Sequence, residues 1–494
     1  MKLLVIGIDG GTKHILDSMP MPFVQALFSG AHSRELEEDL ISRGWAEILT
    51  GEQASHNKAF YLMPLNDGSY DFSASYSKND MISNAGSEVL WRRLNNAGVS
   101  VGFSNVPTTG PADAVDGFVI AGGGGGIKAD GSIPDEMVYP REYKAVLDRN
   151  SYVFDVRLPS GTKTFSEFLD KINHAQEVQK NTFIELSQRE NPDFGFHCFR
   201  ITTEVQYLAR DEIESCIQSI QESARQGQDY SPKNSVQEKI IEHYKHIDTC
   251  VREIFEALKP ESYFFLADHS TALFEYEGNI DTWLREEGYL FDRTYLESQF
   301  FRVKKFIRRR VNRYQVKRGL AKSIPRIRRP ITKFSEKRTR AFGTFYEIGN
   351  FAGIFINDAD RFSGKVKGAS EIDGLVDELC ERFNNSTLTK EHSLYARPYR
   401  RTFPGATYEK FMPDIKIEKP DNIYFSGRKQ AFLQPNANLG PMREDLANIR
   451  YPYTGLKGSD PLFVYSPSLE NCIKNDDPAD LRLAYRMICR HFSA

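Results

Sequence analysis

Two short apolar runs end in side chains able to bind a cation. Residues 3–8 (LLVIGI) lead straight into Asp9-Gly10-Gly11, and residues 262–267 (SYFFLA) lead into Asp268-His269. Each run has the length and β-rich composition of a buried parallel strand, and each breaks where the carboxylate appears. In open α/β sheets the ligand-binding crevice lies outside the carboxyl ends of the strands. Two carboxylates and an imidazole delivered to that edge are a donor set for a divalent metal ion. Taken singly, Asp9 reads first as a cap for the next helix. The second run, with its own Asp-His end, makes the constellation.

Ser42 offers a second kind of chemistry. It precedes a helix-like run at residues 45–49, inside the segment LISRGWAEILTG at 40–51. Its hydroxyl is either the cap of that helix or a nucleophile or anion-binding group at the helix N-terminus. Free N–H groups and the helix dipole favour an oxyanion there.

The elements that must position these groups keep a strand–helix–strand rhythm. Helical spacing runs over 13–28, interrupted at Met19-Pro20. Residues 90–98 (LWRRLNNAG) read as a helix closing on a glycine, and 99–105 as a strand before the breaker-rich PTTGPA. A long helix is predicted over 164–188, a strand over 194–201 with residues 202–207 at its end, and a helix over 236–258 before the Asp268 strand. Strand character returns in GNFAGIFIN at 349–357, helix at 372–383, and strands in MPDIKI and LFVY near residues 412 and 462. This alternation predicts an α/β fold with a doubly wound, mostly parallel sheet. Five consecutive glycines at 122–126 lack the Lys-Ser/Thr of a phosphate-binding P-loop and read as a flexible surface loop.

Composition bounds the rest. The chain has 494 residues, 40% hydrophobic and 27% charged, which is ordinary for a globular protein, and a net charge of −3 that implies no particular partner. Six cysteines with no CxxC pair read as reduced thiols rather than a disulfide framework. The N-terminal apolar run is too short for a signal peptide, and no stretch reaches the ~18 apolar residues of a membrane span. A cytoplasmic location is the expectation.

The balanced total conceals one asymmetry. Residues 302–340 hold 17 Lys or Arg and a single acid, Glu336, with Phe306, Ile307, Val311 and Tyr314 near helical spacing. A basic amphipathic segment of this kind is a solvated insertion, a dock for an anionic membrane surface, or a site for a polyanion. Nucleic acid is the weakest of these, since no nucleic-acid-binding signature accompanies it.

Several of these segments, in this order, resemble the type I phosphodiesterase / nucleotide pyrophosphatase family of the alkaline phosphatase superfamily. VIGIDGGT looks like its first metal-binding strand, and GWAEILTG like the segment after its nucleophile. LWRRLNNAGVSVGFSNVPTT resembles its helix–strand unit, FLADHS its Asp-His strand, and DTWLREEGYL the segment beyond that strand. KRTRAFG, GIFIN, RFSG and the Pro-Asp step of MPDI have counterparts too. The resemblance implies an alkaline-phosphatase-like single domain over 1–494, with helices on both faces of the sheet. The basic amphipathic segment at 291–340 would be an insertion within it.

Family members hold two divalent metals around a Thr or Ser. By resemblance the second metal position survives as Asp9, Asp268 and His269. The first does not. Its Asp-x-x-x-His is here Thr203 to Tyr207 (TEVQY), and its late Gly-x-His is Gly455-Leu456-Lys457. Thr and Tyr are poor ligands, and a charged Lys has no lone pair to give. Lys457 instead offers positive charge where a metal would sit, an arrangement similar to the one-metal sulfatase branch of the superfamily. The nucleophile slot falls on Ile41, with Ser42 one position later and Arg43 suited to an anionic group.

Two main readings result. One is a metal-dependent phosphoester, phosphodiester or sulfate-ester hydrolase holding one divalent ion (Zn, Mn, Mg or Ca) on Asp9, Asp268 and His269. Ser42 would be its nucleophile, with Lys457 and Arg43 on the oxygens of an anionic ester substrate. The other is a catalytically inactive relative that binds an anionic ligand, a membrane surface or a partner protein. In a third, Asp9, Asp268 and His269 are only a hydrogen-bonded network.

Overall fold

A computed structural model describes residues 1–73, 78–84, 88–122, 133–156, 164–297, 334–344, 350–427, 431–440 and 453–494. They group into two units. One comprises residues 1–53, 78–275 and 436–494, the other 54–77 and 276–435.

In the first unit, Leu3–Ile8 lies inside an eight-stranded sheet formed by described residues. Parallel neighbours flank it, Phe194–Phe199 on one side and Ser262–Leu266 on the other. Val101–Val106 and Gly117–Ala121 continue the parallel run, and Val138–Tyr139 closes that edge in the antiparallel sense. At the opposite edge Phe463–Tyr465 and then His32–Ser33 are antiparallel. The fold is therefore α/β with a mostly parallel sheet, of the alkaline-phosphatase-like class.

Every residue of Leu3–Ile8, Val101–Val106 and Phe194–Phe199 is buried, as expected of strands covered on both faces. Along Phe194–Phe199 the side chains alternate. His197 stacks on Phe183 of the helix Phe165–Glu190, while Phe196 meets Trp45 of the helix Gly44–Thr50 on the other face. Gly7 is required by that second face. A Cβ there would stand 2.9 Å from both the Trp45 ring and Cys198 Sγ.

Local signals place the helices. Thr164 accepts from the Glu167 amide to start Phe165–Glu190, and Asn234 accepts from Gln237 to start Ser235–Leu258. The interruption at Met19-Pro20 separates the helices Lys13–Ser18 and Pro22–Ser29. Residues 202–207 follow the strand Phe194–Phe199. They open the 24-residue helix Thr202–Arg225, with the Thr202 hydroxyl donating to the Phe199 carbonyl at 2.7 Å.

The second unit is built on an antiparallel four-stranded sheet of Ala341–Gly343, Gly353–Ile356, Ile415–Glu418 and Tyr395–Pro398, packed with the helix Ala369–Asn385. Inside it Arg361 is buried between Asp358 (2.6 Å) and Asp414 (2.5 Å). Asp414 is the acid of the late MPDI step. The glycines at 123–126 and the basic segment up to residue 333 lie outside the described residues. Among the described residues no helix is long and apolar enough to cross a membrane. All six cysteines are unpaired and buried.

Candidate metal centre

Strand register brings the two aspartates side by side. Gly7 pairs with Leu266 in the parallel ladder, so Asp9 and Asp268, two residues further on, leave adjacent strands at one level. Asp9 is fixed through its backbone. Its amide donates to the Phe199 carbonyl at 3.3 Å and its carbonyl accepts from Thr202 Oγ1 at 2.7 Å. The chain then turns away at Gly10, whose φ of +73° suits glycine.

His269 completes the group. Its Nδ1 lies 2.6 Å from the Ser270 carbonyl, and since a carbonyl only accepts, Nδ1 carries the hydrogen. In the neutral ring Nε2 then presents a lone pair 3.5 Å from Asp9 Oδ1 and 3.6 Å from Asp268 Oδ1. A lone pair aimed at two carboxylates is repulsive unless a proton or a metal cation bridges them. Ligand atoms ~2.1 Å from a tetrahedral ion stand about 3.4 Å apart, so these spacings fit a divalent ion after small adjustment. The hydrogen bond that fixes the ring through its other nitrogen is a usual companion of metal-bound histidine. All three residues are buried, and one donor atom from each lies within 4.8 Å of the others.

Electrostatics divide the two carboxylates. Burial, reinforced by the neighbouring Asp9 charge, pushes Asp268 above the usual carboxylate range. For Asp9 burial also acts upward, but when no ion is bound and the His269 ring is protonated, its hydrogen bond and charge, with Arg200 and Lys457 behind, hold Asp9 below that range. Trp45 Nε1 donates to Asp9 Oδ2 at 3.2 Å as well.

Lys457 reaches the centre by a hairpin. Ser270–Leu273 pairs antiparallel with Gly455–Gly458, setting Lys457 opposite Thr271 and its Nζ 3.7 Å from Asp268 Oδ2. Burial pushes this ammonium below its ordinary range. Tyr207 stacks on His269 with the planes 7° apart, its hydroxyl 3.3 Å from Nε2. Burial raises the phenol, which keeps its proton and donates. Thr203 is buried one turn before Tyr207 on the same helix, and its Oγ1 would be 3.0 Å from a Cβ on Gly10. Thr203, Tyr207 and Lys457 thus gather beside the Asp9 cluster with two hydroxyls and an ammonium, groups that donate hydrogen bonds rather than ligate.

The Ser42 loop approaches from the helix Gly44–Thr50. A Cβ on Gly44 would stand 2.3 Å from the Asp268 carbonyl, so the helix start is pressed against the Asp268 step. The helix has Arg43 at its N-cap and no side-chain cap bond, which corrects the reading of Ser42 as its cap. Ser42 itself is buried in the same loop. Ile41 is buried, and the Arg43 charge is near enough to oppose that of Lys457.

Sequence reasoning missed two features. Trp45 sits in an apolar stripe that gave no hint of its bond to Asp9. Glu38, Glu47 and Asp480 bring a carboxylate oxygen each within 4.8 Å of one another. Burial first, then repulsion from neighbouring acids (Glu47, Asp39 and Asp480 on Glu38; Asp39 and Asp480 on Glu47), raises both well above the carboxylate range. Residues so far apart in sequence leave no local signature.

Known proteins share this architecture. The phosphonoacetate hydrolase of Sinorhizobium meliloti 1021, in complex with phosphonoformate, superposes with a TM-score of 0.56 at 11% identity, covering 99% of this chain and 96% of that one. Its complex with phosphonoacetate gives 0.53 at the same identity and coverage. Murine ectonucleotide pyrophosphatase / phosphodiesterase 5 aligns over 100% of this chain and 95% of its own at 12% identity, with a TM-score of 0.45. At such identities the hydrolase likeness speaks to fold alone. No curated protein matches by sequence. The family model for type I phosphodiesterase / nucleotide pyrophosphatase matches residues 3–366, most of the chain, and the protein therefore belongs to that family.

Proposed function

We propose that the protein is a hydrolase of phosphate or sulfate esters working with one divalent metal ion, held by Asp9, Asp268 and His269. Family membership supports phosphoester chemistry at the coarse level. The observation that carries the finer reading is His269, whose Nε2 faces both carboxylates while Nδ1 is committed to Ser270. When bound, the ion would supply Lewis-acid stabilisation and ease deprotonation of an attacking oxygen.

The chain's own groups supply the rest. Lys457 and Arg43 hold the non-bridging oxygens of an anionic ester and stabilise charge that grows on them during transfer. Ser42 gives the attacking oxygen. Its bond to phosphorus or sulfur forms as the ester oxygen leaves with the serine proton, and water then releases the acid. Buried Lys457 is worth more here than in water, because the site excludes the competing solvent dipole.

A second reading, an inactive family member that binds an anionic ligand, is favoured by one contact. The Tyr207 hydroxyl is directed at the Nε2 lone pair. One experiment separates the readings: metal analysis of the purified chain together with turnover of an aryl phosphodiester, an aryl phosphomonoester and an aryl sulfate. The hydrolase reading expects turnover, one fewer ion in His269→Ala, and lost turnover with the ion retained in Ser42→Ala. A wild-type chain inert on all three esters, with the same metal content as His269→Ala, overturns it and favours the binder.

A further inference from the structure

A second cluster lies between two helices of the same unit. On Ser235–Leu258, His246 and Cys250 are four residues apart and so share one helix face. Glu177 faces them from Phe165–Glu190. Cys250 Sγ is 3.4 Å from His246 Nε2 and 3.6 Å from Glu177 Oε2, and His246 Nε2 is 4.0 Å from Glu177 Oε2. The three candidate ligand atoms therefore form a nearly equilateral triangle.

We propose that Glu177, His246 and Cys250 form a second metal site, for a borderline-soft divalent ion of the zinc class. A tetrahedral ion with bonds of about 2.3 Å to sulfur and 2.05 Å to nitrogen and oxygen sets S–N and S–O at about 3.6 Å and N–O at about 3.3 Å. The observed triangle meets the first two and exceeds the third by less than an ångström. A thiolate, an imidazole and one carboxylate select zinc or cobalt over magnesium or calcium, which prefer oxygen ligands alone.

The surroundings are arranged for it. Lys180 Nζ (2.7 Å) and Asn181 Nδ2 (3.1 Å) bind Glu177 Oε1, which leaves Oε2 for the cluster. The Lys180 charge is shared with Glu253, so two carboxylates offset the nearby ammonium. Cys250 is buried, whereas the Glu177 and His246 side chains are 41% and 23% exposed, so an ion enters from solvent with water as its fourth ligand. On binding, the thiol proton passes to solvent and the sulfur bonds the metal.

Cobalt titration of the full-length protein tests this site apart from the Asp9 centre, which contains no sulfur. The expected result is a thiolate-to-cobalt charge-transfer band in the near ultraviolet saturating at one equivalent. Cys250→Ser should abolish it. His246→Gln, at a partly exposed position that folding tolerates, should weaken cobalt affinity at least tenfold. No charge-transfer band in the wild type, or a band unchanged in Cys250→Ser, overturns the proposal.

Discussion

At the scale of single residues, the centre is governed by which atom carries a proton. Fixing Nδ1–H of His269 on Ser270 leaves a nitrogen lone pair between two buried carboxylates, a charge pattern that calls for a cation. Lys457 answers part of that demand, and burial holds its ammonium below the ordinary range. The charged form is lost as pH rises through the folded-state pKa. Lys457-dependent activity should therefore fall off at a lower pH than the ~10.4 of a free lysine. In a kcat/KM profile, Lys457→Arg should extend the alkaline limb upward. Lys457→Met should cost about 100-fold or more, the scale of losing one oxyanion-stabilising donor. An alkaline limb that stays in place in Lys457→Arg would remove Lys457 from this role.

At the scale of elements, the helix Gly44–Thr50 couples the Ser42 loop to the sheet and carries a liability of its own. Glu47 is buried on it beside Glu38 and Asp480, and burial followed by repulsion from Asp39 and Asp480 raises its carboxyl well above the usual range. An unfolded Glu titrates near about 4.3. From there up to the folded-state pKa the native chain binds more protons than the unfolded one, so stability falls as pH rises. Glu47→Gln removes this cost. Thermal unfolding should show that its Tm drops less than the wild-type Tm between about pH 5 and pH 8. A parallel pH dependence in both proteins would mean that Glu47 ionises normally in the fold. The same element shows where sequence reading loses its grip. Ser42 before a helical run looks like a cap, yet the helix starts on Arg43 with no side-chain cap, because Gly44 is pressed onto the Asp268 carbonyl.

At the scale of the whole molecule, a net charge of −3 coexists with +16 on residues 302–340. We propose that this segment docks the protein on an anionic surface. Attraction of that kind weakens when the Debye length shrinks from ~10 Å at 0.1 M salt toward ~3 Å at 1 M. Sedimentation with phosphatidylserine vesicles should be strong at low salt and lost at high salt. It should also be absent for neutral vesicles and for a chain lacking residues 302–333. Binding that ignores salt would point to another contact. What the chain determined by itself was local: apolar runs that stop at Asp9 and Asp268, helices opened by Thr164 and Asn234, and the order of motifs along the family's pattern. These arise from periodicity and from side chains acting on their own backbone within a few residues. The parallel register that sets Asp9 beside Asp268 was decided only in three dimensions. So were the hairpin that carries Lys457 to them, the Trp45 bond, and the Glu177–His246–Cys250 triangle. Each depends on packing between segments tens to hundreds of residues apart, and pairings at that range leave no periodic trace in a single sequence.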